Sequence, residues 1–134
     1  MLLADILKRS RRGLCCLLIA LAQSAVMTTA VQAADDAGAA QFKKSCGTCH
    51  SLDPKSPPRQ GPNLHGVVGR PAGAVKGFKY SPAFLKGKSG IVWDAATLDR
   101  WIANPQEVIP GVVMMYHQSD AEKRQLVIDY LKAH

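Results

Sequence analysis

Two cysteines and a histidine stand close together in the segment Cys46-Gly47-Thr48-Cys49-His50. Thiols three positions apart on a helix can react with two vinyl groups on one edge of a porphyrin and form two thioether bonds. The histidine next to the second cysteine is then held under the iron, where its imidazole can act as an axial ligand. The pattern therefore indicates covalent attachment of one haem through Cys46, Cys49 and His50.

Three other interpretations of the two cysteines are weaker. A thioredoxin-like redox pair requires a strand–helix–strand context, and no strand alternation surrounds the motif. A structural zinc site requires four ligands, whereas the other histidines are dispersed along the chain. The third alternative is a chance match. The motif, taken together with the export segment described next, favours haem attachment over all three.

The first 33 residues differ in character from the rest of the chain. Four basic residues between positions 8 and 12 are followed by an almost wholly apolar stretch, 13–27, and by the small-residue exit Val31-Gln32-Ala33. This order is typical of a secretory signal peptide. A membrane anchor is the alternative, but the stretch is short for the roughly 20 residues of a span and Gln23 interrupts it. We predict a cleavable signal peptide at residues 1–33, a domain at 34–134 and export to the periplasm, with no permanent membrane span.

Composition limits what the mature domain can bind and how it can fold. The chain has a formal net charge of +7, but beyond the leader its basic residues are scattered. Nucleic-acid binding requires a clustered basic patch, so we expect no nucleic-acid partner. A domain of about 100 residues is near the size at which a hydrophobic core alone becomes marginal. Since only 6% of the residues are aromatic, a bound cofactor would help to fill the core.

Three helices are predicted. The first spans about 36–48, with Asp36 as its N-cap. The second spans about 94–103 and ends before Pro105, because proline disfavours helical backbone in the residue that precedes it. The third begins at Ser119-Asp120-Ala121-Glu122, which reads as a capping box with the serine as the cap.

The first two helices are separated by a long irregular segment. Residues 51–82 contain six prolines and five glycines, which forbid long regular elements. A loop of this length inside a compact domain is normally a sign of function. Wrapping around a cofactor would explain both its length and its order.

Several further motifs follow the cysteine–histidine segment in order. They are Gly61-Pro62-Asn63-Leu64-His65-Gly66, Val68-Gly69-Arg70, Gly77-Phe78-Lys79-Tyr80, Trp93, Asn104-Pro105, Ile109-Pro110-Gly111 and Met114. Together they closely resemble the mitochondrial-type class of cytochrome c (class I) and its small soluble bacterial relatives. The resemblance covers nearly all of residues 36–132, with a short insertion near Lys88 and a one-residue deletion after Met114. It implies an all-α fold, the small cytochrome c fold, with three main helices and long loops around one covalent haem c.

The resemblance also implies roles on the histidine side of the haem. Cys46 and Cys49 match the cysteines that form the thioethers, and His50 matches the first axial ligand. The carbonyl of Pro62 matches the group that accepts the other N–H of that histidine. Such a contact fixes the orientation and basicity of a metal-bound imidazole.

Four more residues match positions around the rest of the haem. Arg70, Tyr80 and Trp93 match groups that hydrogen-bond or neutralise a haem propionate, which a buried carboxylate requires. Trp101 stands where the family often has a tyrosine near the methionine sulfur. We expect it to take part in cofactor binding with a different geometry.

Met114 matches the sixth iron ligand. Its neighbour Met115 is the alternative, and counting from Pro110-Gly111 favours Met114. The resemblance also places Gly38 and Phe42 where the first helix meets the last. Phe84, Val112 and Val113 replace polar residues of the family pattern, and we expect them to make the haem surroundings drier.

A closed coordination sphere implies electron transfer rather than catalysis. With His50 and Met114 both bound, the iron has no free site at which to activate oxygen or peroxide. We therefore predict a monomeric, non-enzymatic carrier of single electrons. Its expected partners are a quinol-oxidising cytochrome complex, a terminal oxidase, a photosynthetic reaction centre or a periplasmic dehydrogenase. The alternatives are the haem subunit of a dehydrogenase and a peroxidase-like haem enzyme.

The resemblance has one notable departure at the docking surface. Mitochondrial-type carriers surround the exposed haem edge with lysines, whereas this chain has Gln106-Glu107 and Val112-Val113 at the corresponding positions. We predict that an apolar patch of Val112, Val113 and Tyr116 takes over part of the docking. Removal of apolar area from water is hardly weakened by salt.

Overall fold

The computed structural model describes residues 33–134. The predicted signal peptide lies outside these residues except for Ala33, so its removal stays a prediction. Residues Asp35–His134 form one compact unit. No helix within the described range is long and apolar enough to cross a membrane.

The described residues contain five helices joined by irregular segments. They are α1, whose described residues are 33–45, α2 (Pro82–Gly87), α3 (Ala95–Ala103), α4 (Pro105–Val108) and α5 (Ala121–Lys132). The only extended pairing in the same range is an isolated antiparallel bridge between Pro71 and Val92. The all-α prediction is confirmed, and α1, α3 and α5 are the three predicted helices. Helices α2 and α4 were not predicted because each is only one or two turns long.

Helix α3 begins and ends as its sequence predicts. The carboxylate of Asp94 accepts a hydrogen bond from the backbone N–H of Thr97 at 2.7 Å, which caps the first turn. Asn104 has an extended backbone, as expected for a residue that precedes proline. Pro105 then starts α4, since the first helical position needs no backbone N–H. Helix α4 therefore has a defined start, and the segment that carries Met114 follows its end at Val108.

Two predicted helix starts are wrong. Asp120, not Ser119, caps α5, and its carboxylate accepts from the backbone N–H groups of Glu122 and Lys123 at 3.0 and 3.2 Å. The aspartate prevails because its two oxygens can accept both bonds and also pair with the Lys123 ammonium at 2.7 Å. Asp36 lies inside α1 rather than at its cap, since the residues before it are already helical. Alanine favours helical backbone, so Ala33 and Ala34 are already part of the helix before Asp36 is reached.

Helices α1 and α5 pack together through a glycine. Gly38 is buried, and a Cβ atom placed on it would lie 2.8 Å from Cβ of Tyr130 and 3.0 Å from the carbonyl oxygen of Leu126. One turn further on, the ring of Phe42 lies 5.8 Å from that of Tyr130, measured between centroids. This is the contact between the first and last helices that the family resemblance implies. It brings the end of α1, and with it Cys46, against the core.

This close contact makes a sharp prediction for stability. We expect Gly38→Val to lower the free energy of unfolding by about 2–3 kcal/mol, because the added methyl groups must displace the backbone of α5. Chemical denaturation of the haem-loaded protein measures the change. Ala40→Val, at an exposed position of the same helix, is the matched control and should change stability by under about 1 kcal/mol. Equal stability of the two variants would show that the helices can move apart at little cost.

The long segment between α1 and α2 is ordered by side chains that bond to the backbone. The amide of Asn63 donates to the carbonyl oxygens of Asp53 and Ser56 at 2.7 and 3.1 Å. The guanidinium of Arg70 donates to the carbonyl oxygens of Asn63 and His65 at 2.9 and 3.0 Å. These bonds replace the ladder of a regular element and hold the loop in one shape.

Candidate functional site

A cavity of about 1130 Å³ lies at the centre of the unit. It is somewhat larger than the range of about 300–1,000 Å³ that is usual for small-molecule sites. All nine residues predicted to bind the cofactor line this one cavity: Cys46, Cys49, His50, Pro62, Arg70, Tyr80, Trp93, Trp101 and Met114. Most of the other lining side chains are apolar. The cavity therefore has the size and character required for a large, flat and mainly apolar cofactor.

The end of α1 positions the two cysteines and the histidine. The backbone N–H of Cys46 donates to the carbonyl oxygen of Phe42 at 2.8 Å, and that of His50 donates to Cys46 at 2.9 Å. The helix thus passes into a tight turn over residues 46–49. This turn brings both thiols and the imidazole to the cavity wall, as the motif predicts.

The imidazole ring of His50 is held through its Nδ1 atom. Nδ1 of His50 lies 2.8 Å from the carbonyl oxygen of Pro62, and because a carbonyl only accepts, Nδ1 carries the proton. The lone pair of the neutral ring then lies on Nε2, the nitrogen that can bind a metal. Burial lowers the pKa of His50, opposed by the hydrogen bond to Pro62. The site therefore favours a neutral, ligand-ready imidazole.

A glycine makes room for this ring. A Cβ atom on Gly61 would lie 2.6 Å from Nδ1 of His50 and 2.8 Å from Nε2. The backbone N–H of Gly61 also donates to the carbonyl oxygen of Cys49 at 2.8 Å. Only glycine allows the loop to lie so close to the imidazole. The loop and the cysteine turn are thereby tied into one rigid wall.

The cysteines do not have the character of a redox pair. Burial, with a smaller contribution from the neighbouring Cys49, raises the pKa of Cys46 to about 11. Reactive thiols in redox motifs instead have a lowered pKa. Nor do any three His, Cys, Asp or Glu side chains within residues 33–134 come together to hold a bare metal ion. Attachment to a porphyrin is the use of these thiols that the surroundings fit.

The charged residues on the cavity wall are all cations. Arg59, Arg70 and Lys79 line it, and no aspartate or glutamate among the described residues does. Tyr80 lies at the same wall, and its hydroxyl oxygen accepts from the backbone N–H of Val75 at 3.2 Å, so its own proton remains available to donate. Burial raises the pKa of Tyr80 and lowers that of Arg70. This distribution suits a cofactor that carries carboxylates.

Aromatic rings form the wall beside α2 and α3. Phe84 stacks on Tyr80 with centroids 4.9 Å apart, and it contacts the edge of Trp101 at 5.9 Å. Trp93 lies 5.1 Å from Trp101 in an edge-on contact and is itself buried. The expectation of a drier wall at Phe84 agrees with its burial. Water has little access from this side.

Side chains in the segment after α4 alternate between lower and higher exposure, although all of residues 112–116 line the cavity. Val112 is 4% exposed and Val113 is 76% exposed. Met114 is half-buried, whereas Met115 is 74% exposed, although both line the cavity. The prediction of an exposed patch that includes Val112 is wrong, because this side chain packs into the core. Val113 lines the cavity but is largely exposed, so the expectation that it dries the haem surroundings stays a prediction.

Nothing in the sequence indicated that two glutamines, Gln60 and Gln106, contact residues of the site. Oε1 of Gln60 lies 3.2 Å from Sγ of Cys49, and the side chain of Gln106 bonds to the segment that carries Met114. Neither belongs to a motif that marks a ligand. Their roles follow from three-dimensional contacts alone.

Comparison with known proteins gives the site its family. No protein-family model matches the chain. It is 46% identical over 106 residues to cytochrome c-550 of Novispirillum itersonii, covering 72% of this chain and 96% of that protein. It is 44% identical over 92 residues to cytochrome c2 of Rhodopila globiformis, covering 68% and 84%. It is 37% identical over 95 residues to cytochrome c of Kluyveromyces lactis, covering 70% and 84%.

The chain belongs to the class I cytochrome c family, whose members are electron carriers with haem. Members of this family carry one covalent haem c, and Cys46, Cys49 and His50 fit the motif to which it is attached. The cavity fits that group in volume, in apolar lining and in the cations at its wall.

Proposed function

We propose that this protein is a soluble, periplasmic, non-enzymatic carrier of single electrons whose haem iron is bound by His50 and Met114. One observation carries the proposal. Among the described residues that line the cavity, His50 supplies the only imidazole, and Met114 supplies the only thioether that is not largely exposed. When bound, haem c supplies an iron that takes up and releases one electron.

The side chains around the cavity have complementary tasks in this proposal. The carbonyl oxygen of Pro62 holds the ring of His50 in one orientation. The imidazole would therefore not need to move when the charge on the iron changed. Met114 would supply the second protein ligand to the iron and would keep small ligands from binding there. The packed rings of Phe84, Trp93 and Trp101 would keep water away from a bound haem, which would favour its less charged ferrous state and raise its potential.

The cationic wall has a separate task. We assign Arg70, Tyr80 and Trp93 to the haem propionates, in agreement with their place on the cavity wall. The guanidinium of Arg70 already bonds two loop carbonyls, so it can hold a propionate without a further loss of side-chain entropy. A buried carboxylate needs such a partner.

A spectroelectrochemical titration of the haem-loaded protein tests the proposed function. We expect one reversible transition that transfers one electron, together with negligible oxidation of peroxidase substrates by hydrogen peroxide. The matched reference is the Met114→Ala variant, in which an open axial position should permit peroxidase turnover. Peroxidase turnover by the unmodified protein at the rate of that variant would contradict a carrier role. Stable co-purification with a larger redox subunit would favour the dehydrogenase-subunit alternative.

We expect electron transfer to the native membrane partner, whether a quinol-oxidising complex, an oxidase or a reaction centre, to fall only gently as salt increases. Val113 and Met115 are largely exposed and lie at the cavity rim, where contact removes apolar area from water. Steering by charges would instead be screened within about 8–10 Å at ordinary ionic strength. Stopped-flow kinetics from low to moderate salt measure the dependence.

The variant Val113→Lys provides the matched control for this prediction. A lysine at this exposed position should make the salt dependence steeper, because it restores a positive charge at the rim. A steep, many-fold loss of rate with salt in the unmodified protein would show that lysines such as Lys43, Lys44 and Lys86 dominate docking.

A further inference from the structure

The side chain of Gln106 spans the segment that carries Met114. Its Oε1 accepts a hydrogen bond from the backbone N–H of Gly111 at 2.9 Å, and its Nε2 donates to the carbonyl oxygen of Val112 at 2.7 Å. The same nitrogen lies 3.4 Å from the carbonyl oxygen of Met114 and 3.7 Å from Sδ of Met115. One amide group therefore contacts four of five consecutive residues.

Among the described residues, this segment has one other polar attachment, at its far end, where the hydroxyl of Tyr116 accepts from the amide of Gln118 at 3.1 Å. Within the described chain, residues 110–117 take part in no backbone–backbone hydrogen bond, and the next one joins the N–H of Gln118 to the carbonyl oxygen of Ile102 at 2.8 Å. No side chain other than that of Gln106 bonds to the backbone of residues 110–115 in the same range. Apolar packing of Val112 and Tyr116 against the core also anchors the segment.

The backbone of Gln106 is itself fixed by hydrogen bonds and packing. The backbone N–H of Gln106 donates to Oδ1 of Asn104 at 3.2 Å, and the amide of Asn104 also donates to the carboxylate of Glu107 at 3.0 Å. Pro105 is fully buried beneath this turn. Helix α4 is thus a short rigid platform from which the glutamine side chain reaches the methionine segment.

We infer that Gln106 is a positioning residue that holds Met114 in place as the sixth ligand. The inference rests on the proposed function, since it presupposes that Met114 binds the iron. Gln106 lies beside the ligand segment and not against the cofactor, because it is absent from the cavity wall that Met114 lines. The glutamine clamps the backbone on both sides of Val112, so the methionine side chain starts from a defined position. Without it, the segment would depend on the packing of Val112 and Tyr116 against the core.

Binding of imidazole to the ferric, haem-loaded protein tests the inference, because imidazole must displace the methionine. We expect Gln106→Ala to raise the apparent affinity for imidazole by roughly three- to tenfold, the change expected from losing hydrogen bonds of ordinary net strength. We expect Gln106→Glu to act in the same direction, since a carboxylate cannot donate to the carbonyl oxygen of Val112. The far-red absorption band of iron–methionine sulfur reports the displacement.

Two comparisons separate positioning from a general loss of stability. Gln125→Ala removes an exposed glutamine of α5 that bonds only Asp129, at 2.9 Å, and should leave imidazole affinity unchanged. The midpoint of chemical denaturation is measured for every variant, because a purely structural role would lower this midpoint and leave imidazole affinity as it was. Imidazole affinity of Gln106→Ala or Gln106→Glu within twofold of the unmodified protein would overturn the inference.

The Met114→Ala variant distinguishes the inference from the proposal beneath it. Loss of the far-red band in Met114→Ala, with unchanged imidazole affinity in Gln106→Ala, would overturn the role of Gln106 alone. Persistence of the band in Met114→Ala would overturn the ligand assignment, and the inference would fall with it.

Discussion

Replacement of both Cys46 and Cys49 by alanine will leave a chain that is largely unfolded. The cavity measures about 1130 Å³ in a unit of Asp35–His134. Empty apolar volume costs about 24 cal/mol per Å³. If roughly a third of this cavity volume were left unfilled, that cost would cancel the roughly 5–15 kcal/mol by which a folded domain is usually stable. Haem bound only by the native state supplies those contacts and stabilises the fold by mass action.

Far-ultraviolet circular dichroism and amide hydrogen exchange measure the outcome for the double variant. Thr48→Ala is the matched control, because Thr48 lies in the same turn, is exposed and leaves both thiols in place. It should retain haem and helix content. A cooperatively folded double variant with native helix content and no haem would show that side chains alone organise the core.

Met114→Ala will produce the second large effect. Loss of the thioether should abolish the far-red iron–sulfur band and give a high-spin iron that binds external ligands. The midpoint potential should fall by more than about 0.1 V, a fraction of the roughly 0.8 V over which axial ligands tune haem. Absorption spectroscopy and a redox titration measure both changes.

Met115→Ala is the control that the chain itself offers. Met115 is 74% exposed, and its Sδ already lies near Nε2 of Gln106 at 3.7 Å. Its removal should leave the spectrum nearly intact and the potential close to that of the unmodified protein. A reversed pair of results would mean that the alignment across the deletion after Met114 is off by one residue.

Sequence patterns predicted the parts of the fold that depend on local chemistry. Helix α3 follows from an aspartate cap at one end and Pro105 at the other, both of which act within a single turn. The haem-attachment motif is similarly local, and the bond from His50 to the carbonyl oxygen of Pro62 appears where the family pattern implies it. The start of α5 was misjudged by one residue, because Ser119 and Asp120 are both good caps and only the three-dimensional geometry selects between them.

Features that depend on packing between distant segments were not predictable in the same way. Val112 and Val113 are identical residues side by side, yet one is buried and the other exposed. Only the path of the backbone after Gly111 decides which of them enters the core, and the clamp by Gln106 helps to set that path. A glutamine outside any motif carries no signal of such a role in a single sequence.

Exposure of the reduced, haem-loaded protein to carbon monoxide tests the central proposal most directly. Carbon monoxide binds ferrous haem wherever an axial position is open, and its binding is followed by the shift of the main absorption band. With His50 and Met114 both on the iron, we predict no spectral change at neutral pH over minutes, whereas Met114→Ala should bind the gas completely. Rapid and complete binding by the unmodified protein would contradict a closed coordination sphere, and with it the assignment of this chain as a simple electron carrier.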